Sequence, residues 1–283
     1  LIRKKAFKAS SINKVFHRAS ESISWLIFIW FKFFKALVYG DLLGRTVLLV
    51  FSAWQSFLKG FDPARINLKK LKKMLMLYKD YPLYNTIPSL LNSASLMLPV
   101  LFINKFYTYS ITSNIGLTIQ VLSLPLALVS VAVSQVLFQK VTELKNKGEN
   151  ISGFIFSLLK KLILLSIIGV VIVQLSAKPL FELIYGKEYV QAGDFALIIV
   201  FASALKFIVS PLSMVFPALD RIKVSSIWQV IYFVLILSLT FFKDLDIKDF
   251  LMIYVLLELI AYTIHALFIF YVIKKYDSNL VNK

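Results

Sequence analysis

The sequence contains no cysteine, which excludes disulfides, thiol nucleophiles and cysteine metal ligands. Its two histidines, His17 and His265, stand about 250 positions apart, a spacing that suggests no zinc site. Charge is scarce. Asp, Glu, Lys and Arg make up 17% of the 283 residues, where an average soluble domain carries about 25%. No phosphate-binding glycine loop, nucleophile elbow or metalloprotease motif occurs. These shortages rule out a disulfide scaffold and an ordinary soluble enzyme. What the chain has instead is apolar surface. Hydrophobic residues are 59% of it and Phe alone occurs 25 times, so its length is better counted in membrane spans of about 20 residues.

Eight apolar runs are candidates to cross about 30 Å of hydrocarbon. Two are weak: 23–34, interrupted by Lys32, and 37–58, which carries Asp41 and Arg45. Six are stronger: 87–106, 111–138, 154–177, 195–218, 224–242 and 250–273. Backbone polar groups in lipid need internal partners, so the spans are predicted to be helices. A barrel would need shorter, alternating segments, which are absent. The expected fold class is therefore all-α, a polytopic membrane protein of about eight transmembrane helices. Pro88, Pro99, Pro125, Pro211 and Pro217 fall within these spans. Each removes a helical hydrogen bond and invites a kink.

The formal charge is +17. In a soluble protein this would suggest nucleic acid. In a membrane protein it follows from the retention of Lys and Arg in cytoplasmic loops, so membrane lipids, and no nucleic acid, are the expected partners. With a cytoplasmic start, the inside segments are 1–18, 59–80, 139–161, 219–223 and 274–283, and they hold 23 of the 32 Lys and Arg. The outside stretches hold seven: Lys32, Lys35, Lys105, Lys178, Lys187, Lys243 and Lys248. That bias predicts a multi-pass protein with both ends of this chain in the cytoplasm. The chain opens on Leu1 and a basic segment without an apolar signal region. This reads as an internal loop, and an N-terminal part of a longer protein is expected to be missing.

Arg45 and Lys206 lie inside spans. A Lys at a membrane centre costs about 2.5–3.5 kcal/mol on insertion scales, and such a residue normally faces a bundle interior or a wet cavity. Ser203, Lys206, Ser210 and Ser213 follow steps of three, four and three, so they share one helix face. Asn85, Ser89, Asn92 and Ser95 form a second polar side. They either meet ligand hydroxyls or tie helices together. Tyr254, Glu258, Tyr262 and His265 form a third, and a carboxyl and an imidazole on one face can relay protons. Asp41 and Arg45 are an i, i+4 pair, although the planar fork of Arg45 also suits a phosphate. Ser123, Ala127, Ser130 and Ser134 read as a small-residue stripe for close helix packing, which leaves Gln120 and Gln135 unexplained. Asp244-Leu245-Asp246 is better read as a charged turn than as a metal site.

Several segments together carry a resemblance: Tyr78-Lys79-Asp80-Tyr81-Pro82-Leu83-Tyr84, then Pro88-Ser89-Leu90-Leu91-Asn92-Ser93, Leu122-Ser123-Leu124-Pro125-Leu126, Ser134-Gln135-Val136-Leu137-Phe138, Tyr185-Gly186-Lys187-Glu188-Tyr189 and Leu205-Lys206-Phe207-Ile208-Val209-Ser210-Pro211. In this order, over roughly 140 residues, the chain resembles bacterial O-antigen and polysaccharide flippases, within the multidrug/oligosaccharidyl-lipid/polysaccharide exporter superfamily. The resemblance implies two six-helix lobes working by alternating access in the bacterial inner membrane. Residues 1–58 would be the last two helices of the first lobe. Residues 59–86 would be a basic cytoplasmic linker, 87–273 the six-helix second lobe, and 274–283 a cytoplasmic tail. The implied cargo is an oligosaccharide on undecaprenyl pyrophosphate, used for O-antigen, capsule or exopolysaccharide. Polysaccharide polymerase and glycosyltransferases would be neighbours in that process.

Such a cargo has an anionic head that needs a wet, cationic cavity. Lys206 and Arg45 are the available cations, and Asn92, Ser210 and Gln120 are the polar candidates for substrate contact. Gln120 stands where family members often carry a basic residue. Glu258 and His265 are the candidates for ion coupling. Neither catalytic residues nor a cofactor or metal is expected, and the protein is read as a transporter rather than an enzyme. The competing readings are a cation-coupled multidrug exporter of the same superfamily, a membrane glycosyltransferase, and a scaffold without transport.

Overall fold

The computed structural model describes residues 7–33, 35–58, 67–79 and 82–281. The basic start 1–6, the linker residues 59–66 and 80–81, and the last two residues of the tail lie outside the described residues. The chain divides into two compact units, Leu1–Leu77 and Tyr78–Lys283.

The first unit is a helical hairpin followed by a short basic helix. Helix α1 (Phe7–Trp30) and helix α2 (Ala36–Leu58) lie against each other. The turn between them places Lys32 and Lys35 at φ of 51° and 62°. Gly40 and Gly44, four residues apart, let α2 approach α1 closely. A Cβ on Gly40 would stand 2.1 Å from Trp25 Cδ1, and one on Gly44 would stand 2.9 Å from Glu21 Cβ. Small residues at this spacing are a common means of packing membrane helices. Trp25 Nε1 donates to Leu37 O at 2.9 Å, and Asn13 Nδ2 donates to Ser52 Oγ at 3.3 Å. Helix α3 (Leu68–Leu77) begins where Asn67 Oδ1 accepts from Lys69 N at 2.9 Å, an N-cap interaction.

The second unit carries six spanning segments. Helix α4 (Ile87–Phe106) follows a π-helical turn at Pro82–Thr86 and runs through Pro99. Helix α5 (Tyr109–Lys147) starts at Thr108, whose side chain accepts from Ile111 N, runs through Pro125, and stops at Gly148, where φ is 67°. Glycine adopts that left-handed conformation without a Cβ clash. Helix α6 (Ser152–Tyr185) is capped by Asp277, which accepts from Ile151 N at 3.0 Å and Ser152 N at 3.2 Å. Helix α7 (Val190–Leu212) ends just past Pro211, which has no N–H to offer Phe207 O. The chain re-enters helix as α8 (Val215–Ala218). Helix α9 (Ile222–Leu237) tightens into a 3-10 turn over Ser238–Phe242, and α10 (Ile247–Val281) completes the unit.

Helix α7 is the hub. It packs on α5, α6 and α10, while α9 lies against both α4 and α10. Small residues permit this: a Cβ on Gly193 would stand 2.7 Å from Lys178 Cα of α6. Lys145, near the end of α5, pairs with Asp220 at 2.5 Å and donates to Ala218 O at 3.2 Å, fixing the turn between α8 and α9.

Among the described residues, seven helical stretches are long and apolar enough to cross a membrane. The chain is a multi-pass, all-helical membrane protein. Six of the seven correspond to the stronger runs in the sequence, and the seventh is α2. Helix α1 is not among them, because its apolar stretch begins only after Arg18 and Glu21. Glu21 is nevertheless 4% exposed and accepts from Arg18 Nη1 at 2.8 Å.

Candidate functional site

A cavity of about 240 Å³ opens between α5, α7 and α10. Helix α7 contributes Ser203, Lys206 and Ser210, the positions that helical spacing places on one face. Ser213, the fourth member expected, lies past the end of α7, and its hydroxyl donates to Ser210 O at 2.7 Å. Helix α5 contributes Ser123, Ala127 and Ser130. This stripe was expected to be close helix packing. It forms a cavity wall instead, because α5 packs on α7 and leaves a gap toward α10. Helix α10 supplies Tyr254 and Glu258.

Lys206 is half-buried, and its Nζ lies 5.6 Å from the centroid of the Tyr262 ring, within the range of a cation–π contact. It makes no ion pair with a described residue. Glu258 faces the same cavity and is 2% exposed. The Tyr232 hydroxyl donates to its Oε1 at 2.7 Å, while Oε2 is buried without a partner in hydrogen-bonding geometry. The cavity therefore holds a cation and a carboxyl that are not engaged with each other.

The structure places the remaining candidates elsewhere. His265 is 2% exposed and stacked between Trp228, at 3.7 Å between ring centroids, and Phe216, at 5.7 Å. Both its ring nitrogens are buried without a partner. Between His265 and Glu258 stand the stacked rings of Trp228 and Tyr232, and no hydrogen bond joins the two among the described residues. Asn92 is half-buried on α4 and does not line the cavity. Gln120 is exposed, although Ile119 and Ser123 on either side of it do line the cavity. Arg45 belongs to the first unit, is largely exposed, and donates to Asp41 Oδ2 at 2.8 Å. Its local i, i+4 pairing is the arrangement found. Asp246 caps α10, accepting from Lys248 N at 3.2 Å. Among the described residues, no group of three or more His, Cys, Asp or Glu is placed to hold a metal ion.

Tyr232 is the site residue that sequence reasoning missed. It sits on α9 in a run of apolar residues, and its partner is 26 residues away, so no spacing rule links the two. A hydroxyl within an apolar membrane helix was the one available signal.

Fold and site together define a multi-pass membrane protein with a charged cavity among its helices. The protein family described as polysaccharide biosynthesis protein matches residues 1–194. This is more than half of the chain, and the chain belongs to that family, in agreement with the flippase resemblance of its sequence motifs. The match ends in the first turns of α7, so Lys206, Ser210 and Glu258 lie beyond it. No curated protein and no solved structure shows significant similarity to the chain.

Proposed function

We propose that the protein moves an oligosaccharide linked to undecaprenyl pyrophosphate across the bacterial inner membrane, as a transporter and not as an enzyme. The observation that carries this reading is Lys206, a cation without an acidic partner among the described residues, in a cavity walled by serine hydroxyls inside membrane-spanning helices. Placing such a charge in lipid is costly unless it serves an anion or a pathway. A pyrophosphate needs a cation out of water, because its own charge does not cross hydrocarbon unaided. The serines of α5 and α7 offer hydrogen bonds to the sugars.

In this reading the six spanning segments of 78–283 form the second lobe of a two-lobe exporter, and 1–58 ends the first. Rocking of the lobes exposes the cavity to each side in turn. Both ends of the chain are cytoplasmic, in keeping with the distribution of Lys and Arg. Glycosyltransferases supply the cargo and a polymerase consumes it, giving O-antigen, capsule or exopolysaccharide. Glu258 is the candidate for ion coupling, since one of its oxygens faces burial without a partner. That same carboxyl favours the second reading, a cation-coupled exporter of drugs.

In the intact protein, Lys206→Ala and Lys206→Glu are expected to reduce glycan export with membrane insertion unchanged. Normal export by both variants overturns the cationic site. Drug resistance that disappears in Glu258→Ala while surface glycan stays normal decides for the drug exporter.

A further inference from the structure

A second opening lies on the other side of α5. Helices α5 and α6 both pack on α7, and the space left between them is an apolar groove. Its main part is a cavity of about 400 Å³ walled by Val121 and Pro125 of α5, Gly169 and Ile172 of α6, and Ala204 and Phe207 of α7. A further cavity of about 140 Å³ shares Val121, Leu122, Ile172 and Val173 with it and continues along α6 to Tyr185. From Leu165 to Tyr185 the groove follows α6 for about 30 Å at 1.5 Å per residue, the thickness of the hydrocarbon core. Two of the wall hydroxyls are already engaged: Ser166 donates to Ala204 O at 3.3 Å and Ser176 to Ile172 O at 2.6 Å; a third, Ser203, lies on the wall shared with the Lys206 cavity. The groove thus offers hydrocarbon contact and no free polar side-chain donor from Ser166 or Ser176.

Two observations separate this groove from an ordinary dip in a lipid-facing surface. Small residues in membrane helices usually bring two backbones together, as Gly193 does here. Gly169 does not, because a Cβ there would meet nothing within 4 Å. Its missing side chain keeps the groove open. The groove also shares Leu126, Ser203 and Phe207 with the Lys206 cavity. The two spaces therefore meet along the line where α5 packs on α7.

We propose that the α5–α6 groove seats the polyprenyl tail of the lipid-linked substrate while the Lys206 cavity holds its diphosphate. This rests on the proposed function and adds a site for the tail. A tail held beside α5 ties the cargo to one lobe, so that the head follows the cavity as the lobes rock. The groove would select long, unsaturated prenyl chains over phospholipid acyl chains through its length and its open stretch at Gly169.

The test uses the intact protein in proteoliposomes with two photoactivatable probes, a polyprenyl diphosphate and a phospholipid, each carrying its reactive group at the chain end. The expected result is labelling of 121–129 and 165–185 by the polyprenyl probe, removed by excess unlabelled polyprenyl diphosphate and not by phospholipid. Gly169→Phe fills the groove without a backbone clash. It is expected to weaken that labelling about tenfold, the equivalent of losing the burial of about two methylenes, while Gly169→Ala retains it. Equal labelling by the phospholipid probe, undisturbed by polyprenyl diphosphate, overturns the proposal. If the polyprenyl probe binds in a manner sensitive to Lys206→Ala but leaves the groove unlabelled, the tail site falls and the transport reading stands. If it binds at neither place, both fall.

Discussion

The hydrogen bond between Tyr232 and Glu258 is the most exposed point of the site to a direct measurement. Tyr232→Phe keeps the ring and its stacking on Trp228, 5.3 Å between centroids, and removes only the hydroxyl. Oε1 of Glu258 then loses its donor and Oε2 already has none in hydrogen-bonding geometry, while the Tyr254 hydroxyl stands beside the carboxyl. Leaving a buried acceptor unsatisfied costs about 1–3 kcal/mol in soluble proteins. Hydrogen bonds between membrane helices average about 0.6 kcal/mol and reach about 1.7. A 2.7 Å bond to a carboxyl that is 2% exposed belongs at the upper end, so about 1.5 kcal/mol is expected, roughly a tenfold change in the folding equilibrium. Replacing both partners by apolar groups removes the unsatisfied acceptor as well. Tyr232→Phe combined with Glu258→Leu is therefore expected to be more stable than Tyr232→Phe alone. The assay is reversible unfolding of the intact protein in mixed micelles, followed by circular dichroism for all variants. A Tyr232→Phe protein as stable as the parent, or a double variant whose loss is the simple sum of the single losses, refutes the account of Glu258 as a buried carboxyl held by the Tyr232 hydroxyl.

Four further outcomes are expected. Gly193→Ala puts a methyl 2.7 Å from the Lys178 backbone, where no side chain can yield, and is expected to cost about 1–3 kcal/mol by overpacking. Gly169→Ala meets nothing within 4 Å and is expected to hold or slightly raise the melting temperature, Ala being the better helix former, so thermal melts of the pair check the α6–α7 contact against the open groove. Asp277→Ala removes the carboxylate that caps α6 and is expected to cost about 1 kcal/mol, with faster amide exchange confined to the first turn of α6. With Trp30 and Trp54 replaced by Phe, the first unit can be followed through Trp25: Gly40→Leu drives a side chain into the Trp25 ring and is expected to shift tryptophan emission. An unshifted spectrum speaks against the α1–α2 contact.

Membrane spans are legible in a sequence because hydrocarbon offers backbone groups no partner, so each crossing must be a long apolar helix. That reasoning located the six spanning segments of 87–273, and helical periodicity joined Ser203, Lys206 and Ser210 into one face. It also led to family motifs, and the family match over 1–194 agrees with them. Periodicity does not say what a face meets. Ser123 and Gln120 are three residues apart on α5, yet one lines the cavity and the other does not. Glu258 and His265 share a face of α10 but stand about 10 Å apart along its axis, far enough for different neighbours to enclose them. Tyr232 hydrogen-bonds to one, while Trp228 and Phe216 close over the other.

The sequence by itself determined that this is a helical membrane protein, where most of its spans run, and that Lys206 stands within one of them. Only the tertiary structure decided that Lys206 and Glu258 share a cavity without pairing, and that α5 and α6 leave a groove between them. The reason is physical. Burial in lipid is a property of each helix alone, whereas a cavity is the space several helices fail to fill, and its shape depends on which small residues bring their backbones together.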